Sequence, residues 1–231
     1  MKNIAIITAR GGSKRIPKKN IKEFCGKPII AYSIEAALDS GAFDEVMVST
    51  DSKEIAELAI RYGAKVPFMR SEKTSNDFAT TVDVIEEVLS DYCKRGFFYD
   101  YFTCIYPTAP FLNGNILKEA MEKVIESSAS ALIPVVRFSF PPQRAFIIKN
   151  GALCYEFPEY ERVRSQDLEP IYHDCGQFYI CSCEAFSKYG SLITPKTIPF
   201  IMPEERVQDI DTNSDWEIAE AKFKVLQTKK G

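Results

Sequence analysis

The residues best suited to chemistry lie near the amino terminus, in Thr8-Ala-Arg-Gly-Gly-Ser-Lys-Arg-Ile-Pro-Lys-Lys-Asn20. Six of the fourteen residues from Ala9 to Lys22 are lysine or arginine and none is acidic, although the whole chain carries a net charge of −3. Positive charge is therefore concentrated locally, and the chemistry it suits is holding a polyphosphate. Gly11-Gly12 lets the backbone approach a phosphate with no Cβ in the way, and successive amides there can form an anion-binding nest. Arg10 and Lys19 are placed to neutralise charge on transferring phosphates. Neither Gly-x-Gly-x-x-Gly nor Gly-x-x-x-x-Gly-Lys-Ser/Thr occurs, so the loop is not one of the common phosphate signatures. A solvated basic loop is the plain alternative.

Asp209-Ile210-Asp211 is the acidic counterpart. In extended backbone, side chains two apart point the same way, so both carboxylates project to one side while Ile210 faces the core. At roughly 4 Å two like charges repel by ~1 to ~4 kcal/mol depending on the dielectric, a conflict that a divalent cation removes. Magnesium suits the pattern, since it takes one or two carboxylates and leaves positions for water and phosphate. The plain alternative puts Asp209 in a loop and Asp211 at the cap of the last helix.

Two further stretches carry polar chemistry. Ile105-Tyr-Pro-Thr-Ala-Pro110 is a proline-rich turn behind an apolar run, placed for a ligand or simply for a rigid connection. Arg164-Ser-Gln-Asp-Leu168 and Tyr172-His-Asp-Cys-Gly-Gln-Phe-Tyr179 gather arginine, amides, carboxylates and the only histidine. That mixture suits a hydroxylated, anionic small molecule, although a lone histidine is often an ordinary polar side chain.

The elements that must position these groups follow from periodicity. Apolar runs at Ile4–Thr8, Glu45–Ser49, Val66–Met69, Tyr101–Tyr106 and Ala131–Val136 read as strands. Between them, Pro28–Ser40, Lys53–Tyr62, Thr80–Lys94 and Ile116–Ser127 read as helices. Asp51-Ser52 with Glu54 forms a capping box before the second helix, and Gly63 closes it. Alternating strand and helix implies parallel pairing with right-handed crossovers, and the fully apolar Ile4–Ile7 suits a strand covered on both faces. The expected fold is α/β, a doubly wound and mostly parallel Rossmann-like sheet, forming one domain over residues 1–231. Residues 138–172 break this pattern as an inserted antiparallel excursion, with Asn150-Gly151 signalling a type I′ hairpin between 145–148 and 152–155. Gln177–Cys181 and Ile198–Met202 resume as strands, and Ser214-Asp-Trp-Glu217 caps a final helix reaching Gln227.

Composition narrows the function. At 231 residues, with 45% hydrophobic and 26% charged residues, the chain can bury a full core. The net charge and an isoelectric point near 5.5 argue against non-specific nucleic-acid binding. No signal-peptide pattern and no apolar run of spanning length is visible, so no membrane partner is expected. Seven cysteines with no Cys-x-x-Cys pair fit reduced thiols and a cytoplasmic protein. Cys25, Cys93, Cys104 and Cys154 read as small core hydrophobes.

Taken in order along nearly the whole chain, these motifs resemble the sugar-acid cytidylyltransferases, which make CMP-activated nonulosonic acids. The basic loop, Val48-Ser-Thr-Asp51, Tyr106-Pro-Thr-Ala-Pro110, Gly176–Tyr179 and Asp209-Ile-Asp211 carry the likeness. Asp77-Phe-Ala-Thr-Thr81 and the Arg164–Leu168 and Tyr172–Tyr179 segments look most like the branch that activates pseudaminic acid. The sialic-acid branch tends to carry Gln, Arg and Asn where Tyr106, His173 and Cys175 stand here.

The resemblance implies a nucleotidyltransferase in which Ala9, Arg10, Gly11, Ser13, Lys19 and Asn20 contact CTP, with Arg70, Asp77 and Thr80 near its ribose and base. It implies that Tyr106, Arg144, Arg164, Gln166, His173, Phe178 and Tyr179 line the sugar pocket, and that Asp209 and Asp211 hold Mg2+. Arg10, Lys19 and Asp211 are then the catalytic set, and the excursion is a dimerisation arm reaching its partner's site in a homodimer. His173, Asp209 and metal-bound water are all open as the acceptor of the attacking proton. The rivals are a legionaminate or N-acetylneuraminate synthetase, with the 3-deoxy-manno-octulosonate branch disfavoured by the Lys18-Lys19-Asn20 ending of the loop. Further off stand a non-catalytic nucleotide-binding regulatory module and a nicotinamide oxidoreductase, which lacks its glycine fingerprint.

Overall fold

A computed structural model describes residues 1–228. Its centre is a seven-stranded sheet built from β1 (Asn3–Thr8), β4 (Glu45–Ser49), β5 (Tyr101–Ile105), β6 (Ala131–Arg137), β9 (Tyr172–Asp174), β10 (Phe178–Ser182) and β11 (Thr197–Ile201). The order runs β11-β6-β10-β5-β1-β4, with β9 also on β6. Strands β4, β1 and β5 pair in parallel, as do β6 and β11, while β10 runs antiparallel between β5 and β6. The sheet is therefore mostly parallel, and the antiparallel β10 occupies an interior position.

Alternation along the strands explains why both faces are covered. Ala5 and Ile7 of β1 share one apolar cluster with Ile34 of α1 (Ile29–Asp39), Ile55 of α2 (Lys53–Arg61) and Met121 of α5 (Gly114–Glu126). Ile4 and Ile6 point to the other face, against Ile85 and Val88 of α4 (Thr81–Lys94) and Phe186 of α6 (Cys183–Tyr189). A third cluster lies off the sheet and joins Ile16, Phe24, Ile29, Phe111, Ile210 and Trp216. Phe24 belongs to the short antiparallel pair of β2 (Glu23–Phe24) and β3 (Lys27–Pro28), and α3 (Glu72–Ser75) is a single turn ahead of α4. Phe24 stacks edge-on against Trp216 of α7 (Asn213–Thr228), with ring centroids 5.5 Å apart. The hairpin of β7 (Phe146–Lys149) and β8 (Ala152–Tyr155) forms its own two-stranded sheet, with Asn150 and Gly151 both at positive φ as a type I′ turn requires.

Several expectations need correction. Val66–Met69 is not a strand: one bridge, Met47 to Lys65, holds this segment beside β4, and Pro67 cannot donate to a ladder. The cap of α2 is Ser52, whose hydroxyl accepts from the Ile55 amide, and Glu54 instead pairs with Lys18. The cap of α7 is Thr212, which shares a reciprocal bond pair with Asp215, two residues upstream of the Ser214–Glu217 box expected. Cys104 is buried and Cys25 partly so, but Cys93 and Cys154 are exposed. Cys93 follows Tyr92 on α4 and so turns away from the core face, and Cys154 lies on the hairpin, which has no second layer.

Gly114 opens α5 directly against the end of α1. A Cβ there would lie 2.7 Å from the Asp39 carbonyl carbon and 2.8 Å from the Ser40 nitrogen. Backbone cannot yield as a side chain does, so Gly114→Ala is expected to cost ~1 to ~3 kcal/mol. Thermal unfolding should show this as a loss of ~2 to ~4 °C per kcal/mol. An unchanged midpoint would mean that the two helix ends are free to separate.

Candidate active site

Parallel strands β1, β4 and β5 all end at one edge of the sheet, and the loops leaving them surround a cavity of about 310 Å³. This is the edge where ligands bind in open α/β sheets. Arg10, Ser13, Lys19 and Asn20 line it from the basic loop, Arg70 from the floor, Asp77 and Thr80 from the segment before α4, and Tyr106 from the end of β5. Sequence reasoning missed Lys14, Arg15, Thr74, Asn76, Thr81 and Thr108 on the same walls. For Lys14 and Arg15 the signal was present, since they belong to the same basic run.

The loop is held by specific contacts. The Asn20 amide donates to the Arg10 carbonyl at 2.8 Å and is buried, which closes the loop on itself. The Gly11 amide donates to Asp51 Oδ1 at 2.8 Å, so it is engaged inside the protein rather than offered to a nest. A Cβ at Gly11 would come within 3.1 Å of Ser52 Cβ, which accounts for glycine there. Ala9 is fully buried and continues β1 by donating to the Ser49 carbonyl, so it positions the loop without facing the cavity.

The loop and the acidic pair meet across 190 residues of sequence. Lys19 Nζ donates to the Ile210 carbonyl at 2.7 Å and lies 3.5 Å from Asp211 Oδ1. Arg15 reaches Asp211 Oδ2 at 2.8 Å. Ile16 and Ile210, each 1% exposed, lie in one apolar cluster, which is what brings their neighbours together. Asp209 is exposed beside them. Among the described residues no group of three or more His, Cys, Asp or Glu is gathered to hold a metal. Two hard carboxylates do fit an ion that takes its remaining ligands from substrate phosphate and water.

Arg10 and Lys14 both pair with Asp77, Arg10 at 2.8 Å. Hydrogen bonds from Lys14 and then Arg10 hold the Asp77 carboxyl below its ordinary value. Arg70 is only 8% exposed and donates to Ser49 Oγ at 3.0 Å and to the Ser49 carbonyl at 2.6 Å. Burial lowers its pKa to about 10, so it stays protonated at neutral pH. No carboxylate pairs with it among the described residues, leaving a buried cation on the cavity floor.

The sugar-pocket set divides. Tyr106 is in the cavity wall, its hydroxyl 3.1 Å from Thr81 Oγ1, and Tyr179 packs edge-on against it at 5.6 Å. Phe178 is fully buried on the opposite face of β10, against Phe200, and is a core residue. Adjacent strand residues cannot share a face. Arg144 donates to the Val163 carbonyl at 3.3 Å, and Arg164 pairs with Asp167 at 2.7 Å. These two, exposed Gln166 and exposed His173 do not line this chain's own cavity.

A family model described as cytidylyltransferase matches residues 4–147, more than half of the chain and the part carrying the cavity. The chain belongs to the cytidylyltransferase family. This cytidylyltransferase is 45% identical over 226 residues to pseudaminic acid cytidylyltransferase of Campylobacter jejuni subsp. jejuni, covering 97% of each chain. It is 33% identical to CMP-N,N'-diacetyllegionaminic acid synthase of Legionella pneumophila subsp. pneumophila, over 98% of each. The solved structure of CMP:2-keto-3-deoxy-manno-octonic acid synthetase complexed with CTP matches it over the full length of both chains, with a TM-score of 0.70 at 18% identity. That last likeness bears on the fold alone. Among the described residues of this cytidylyltransferase, no helix is long and apolar enough to cross a membrane.

The ion pairs around Asp77 predict a titration. Its folded pKa is depressed, so its contribution to stability is present above the unfolded value and is lost as pH falls through the folded one. Carboxyl-resolved NMR should place Asp77 below 3.8, and Lys14→Ala should move it up. An Asp77 midpoint indifferent to Lys14→Ala would dissolve the pairing.

Proposed function

We propose that this cytidylyltransferase activates pseudaminic acid, converting it with CTP to CMP-pseudaminic acid and pyrophosphate. The observation that carries the reading is the meeting of Lys19 and Arg15 with Asp211 beside the cavity that Arg10 and Arg70 line. The 45% identity to the Campylobacter enzyme supports the choice of sugar.

In this reading the anomeric hydroxyl oxygen attacks the α-phosphorus of CTP. The new P–O bond forms as the bond to pyrophosphate breaks, and the hydroxyl proton leaves to a base. Phosphoryl transfer of this kind asks for positioning and charge neutralisation rather than a protein nucleophile. Arg10 and Lys19 take the charge developing on pyrophosphate. Ser13 and Asn20 fix the loop against the nucleotide, with Arg70, Asp77 and Thr80 on its ribose and base. Asp209 and Asp211 would hold Mg2+, which when bound supplies Lewis acidity at the α-phosphate.

The protein works, in the same reading, as a homodimer whose arm reaches the partner's cavity. Phe140, Ile148 and Leu153 on the excursion are 88%, 77% and 66% exposed, an apolar surface for which a second copy is the natural cover. A partner's arm also gives Arg144, Arg164, Gln166 and His173 a cavity to serve, since they do not line their own.

The test is magnesium- and CTP-dependent pyrophosphate release measured with pseudaminic, legionaminic and N-acetylneuraminic acids. Pseudaminic acid should give the highest kcat/KM, and preference for either other acid would overturn the substrate. Lys19→Ala should lower kcat by ~100- to ~1,000-fold. Turnover at the parent rate would remove Lys19 from the chemistry.

A further inference from the structure

Asp174 ends β9 and does not line the cavity, yet it is tied to two aromatic rings that lead there. Its Oδ1 accepts the Gly176 amide at 2.7 Å, fixing the turn between β9 and β10, where Gly176 has a φ of 61°. Its Oδ2 accepts the Tyr179 hydroxyl, also at 2.7 Å. The Tyr179 ring meets Tyr106 edge-on, with centroids 5.6 Å apart and planes 69° apart. Tyr106 is in turn held by Thr81 at its hydroxyl and lies in the cavity wall. One carboxylate thus sets a turn, a phenol and, through that phenol's ring, a second phenol.

We propose that Asp174 is a positioning residue for the acceptor end of the cavity, holding Tyr179 and through it Tyr106 in the geometry that receives the sugar acid. The proposal rests on the reading that the acceptor is a nonulosonic acid. Charge-assisted hydrogen bonds to a carboxylate are among the stronger ones a protein makes, and a ring pinned at its hydroxyl and at its face has little freedom left. The nucleotide contacts lie on the basic loop, at Arg70 and at Asp77 and Thr80 before α4, none of them on β9 or β10, so loss of Asp174 should bear on the acid and not on CTP. Burial first, then Tyr106 and the hydrogen bond and charge of Asp174, push the Tyr179 phenol above its ordinary value of 10. The ring resonances of Tyr179 and Tyr106 give a readout independent of turnover.

Asp174→Asn separates the two duties. A single amide oxygen can still accept the Gly176 N–H, but the Tyr179 hydroxyl loses its carboxylate acceptor. The expected result is a roughly tenfold rise in KM for the sugar acid, with kcat and the KM for CTP each within about twofold of the parent. In a Tyr179→Phe background, which has no hydroxyl to hold, the same change should add less than about twofold. By NMR of labelled tyrosines, with each assigned by its deletion, Asp174→Asn should shift the ring resonances of Tyr179 and, through the ring contact, those of Tyr106. Unmoved Tyr106 ring resonances, an unmoved acid KM, or independent effects of the two substitutions would each overturn the proposal. If the parent enzyme turns over none of the acids, the substrate reading falls by itself. The tyrosine spectra then still decide whether Asp174 governs the rings.

Discussion

The active site depends on an apolar contact, the burial of Ile16 and Ile210 in one cluster with Phe24 and Trp216. Each fully buried isoleucine contributes about 1.5 to 3 kcal/mol. The ion pairs it brings into register, Lys19 and Arg15 with Asp211, are partly exposed and of a kind worth about 0 to 1 kcal/mol each. The hydrophobic term therefore wins, and the charges orient what it has already joined. A loop with six cations would repel itself if left alone. Here it is fastened by its apolar centre, by Asn20 on the Arg10 carbonyl and by Asp51 on the Gly11 amide.

A second constraint is that the free protein already pairs the cations of its own site with carboxylates, five cations on three of them. Arg10 and Lys14 face Asp77, Lys18 faces Glu54, and Arg15 and Lys19 face Asp211. An incoming polyphosphate thus exchanges protein carboxylates for phosphate oxygens, and its affinity is the difference between the two sets of contacts. Arg70 stands apart: its guanidinium is buried, satisfied by Ser49, and not neutralised by a carboxylate.

The parallel strands and their helices were legible because each carries a complete periodic signal. Apolar runs covered on both faces differ plainly from the stripes of α4 or α5. The loop was legible as a charge pattern, and its Arg10, Ser13, Lys19 and Asn20 line the cavity. Tyr106 was marked by its proline-rich turn, Arg70, Asp77 and Thr80 were implied only by the family resemblance, and neither Asp209 nor Asp211 is in the lining. What failed depended on direction. Phe178 and Tyr179 are both aromatic and follow Gly176 by two and three residues, and only the face each takes on β10 decides that Phe178 packs on Phe200 and Tyr179 on the cavity residue Tyr106. Likewise nothing local marks β10 as antiparallel, because its orientation is set by the return of the excursion through β9. The caps at Ser52 and Thr212 each lay within two residues of an equally good sequence candidate, and hydrogen-bond geometry chose between them.

The cluster that joins Ile16 to Trp216 also orders events during synthesis. A nascent chain leaves the ribosome with its cationic loop some two hundred residues ahead of the indole that must close it. Until the segment carrying Ile210 and Trp216 is made, the strand and its loop can exist, but the loop's contacts with Ile210 and Asp211 cannot. In the reading that gives Asp211 a part in the chemistry, the site is complete only once that segment has docked.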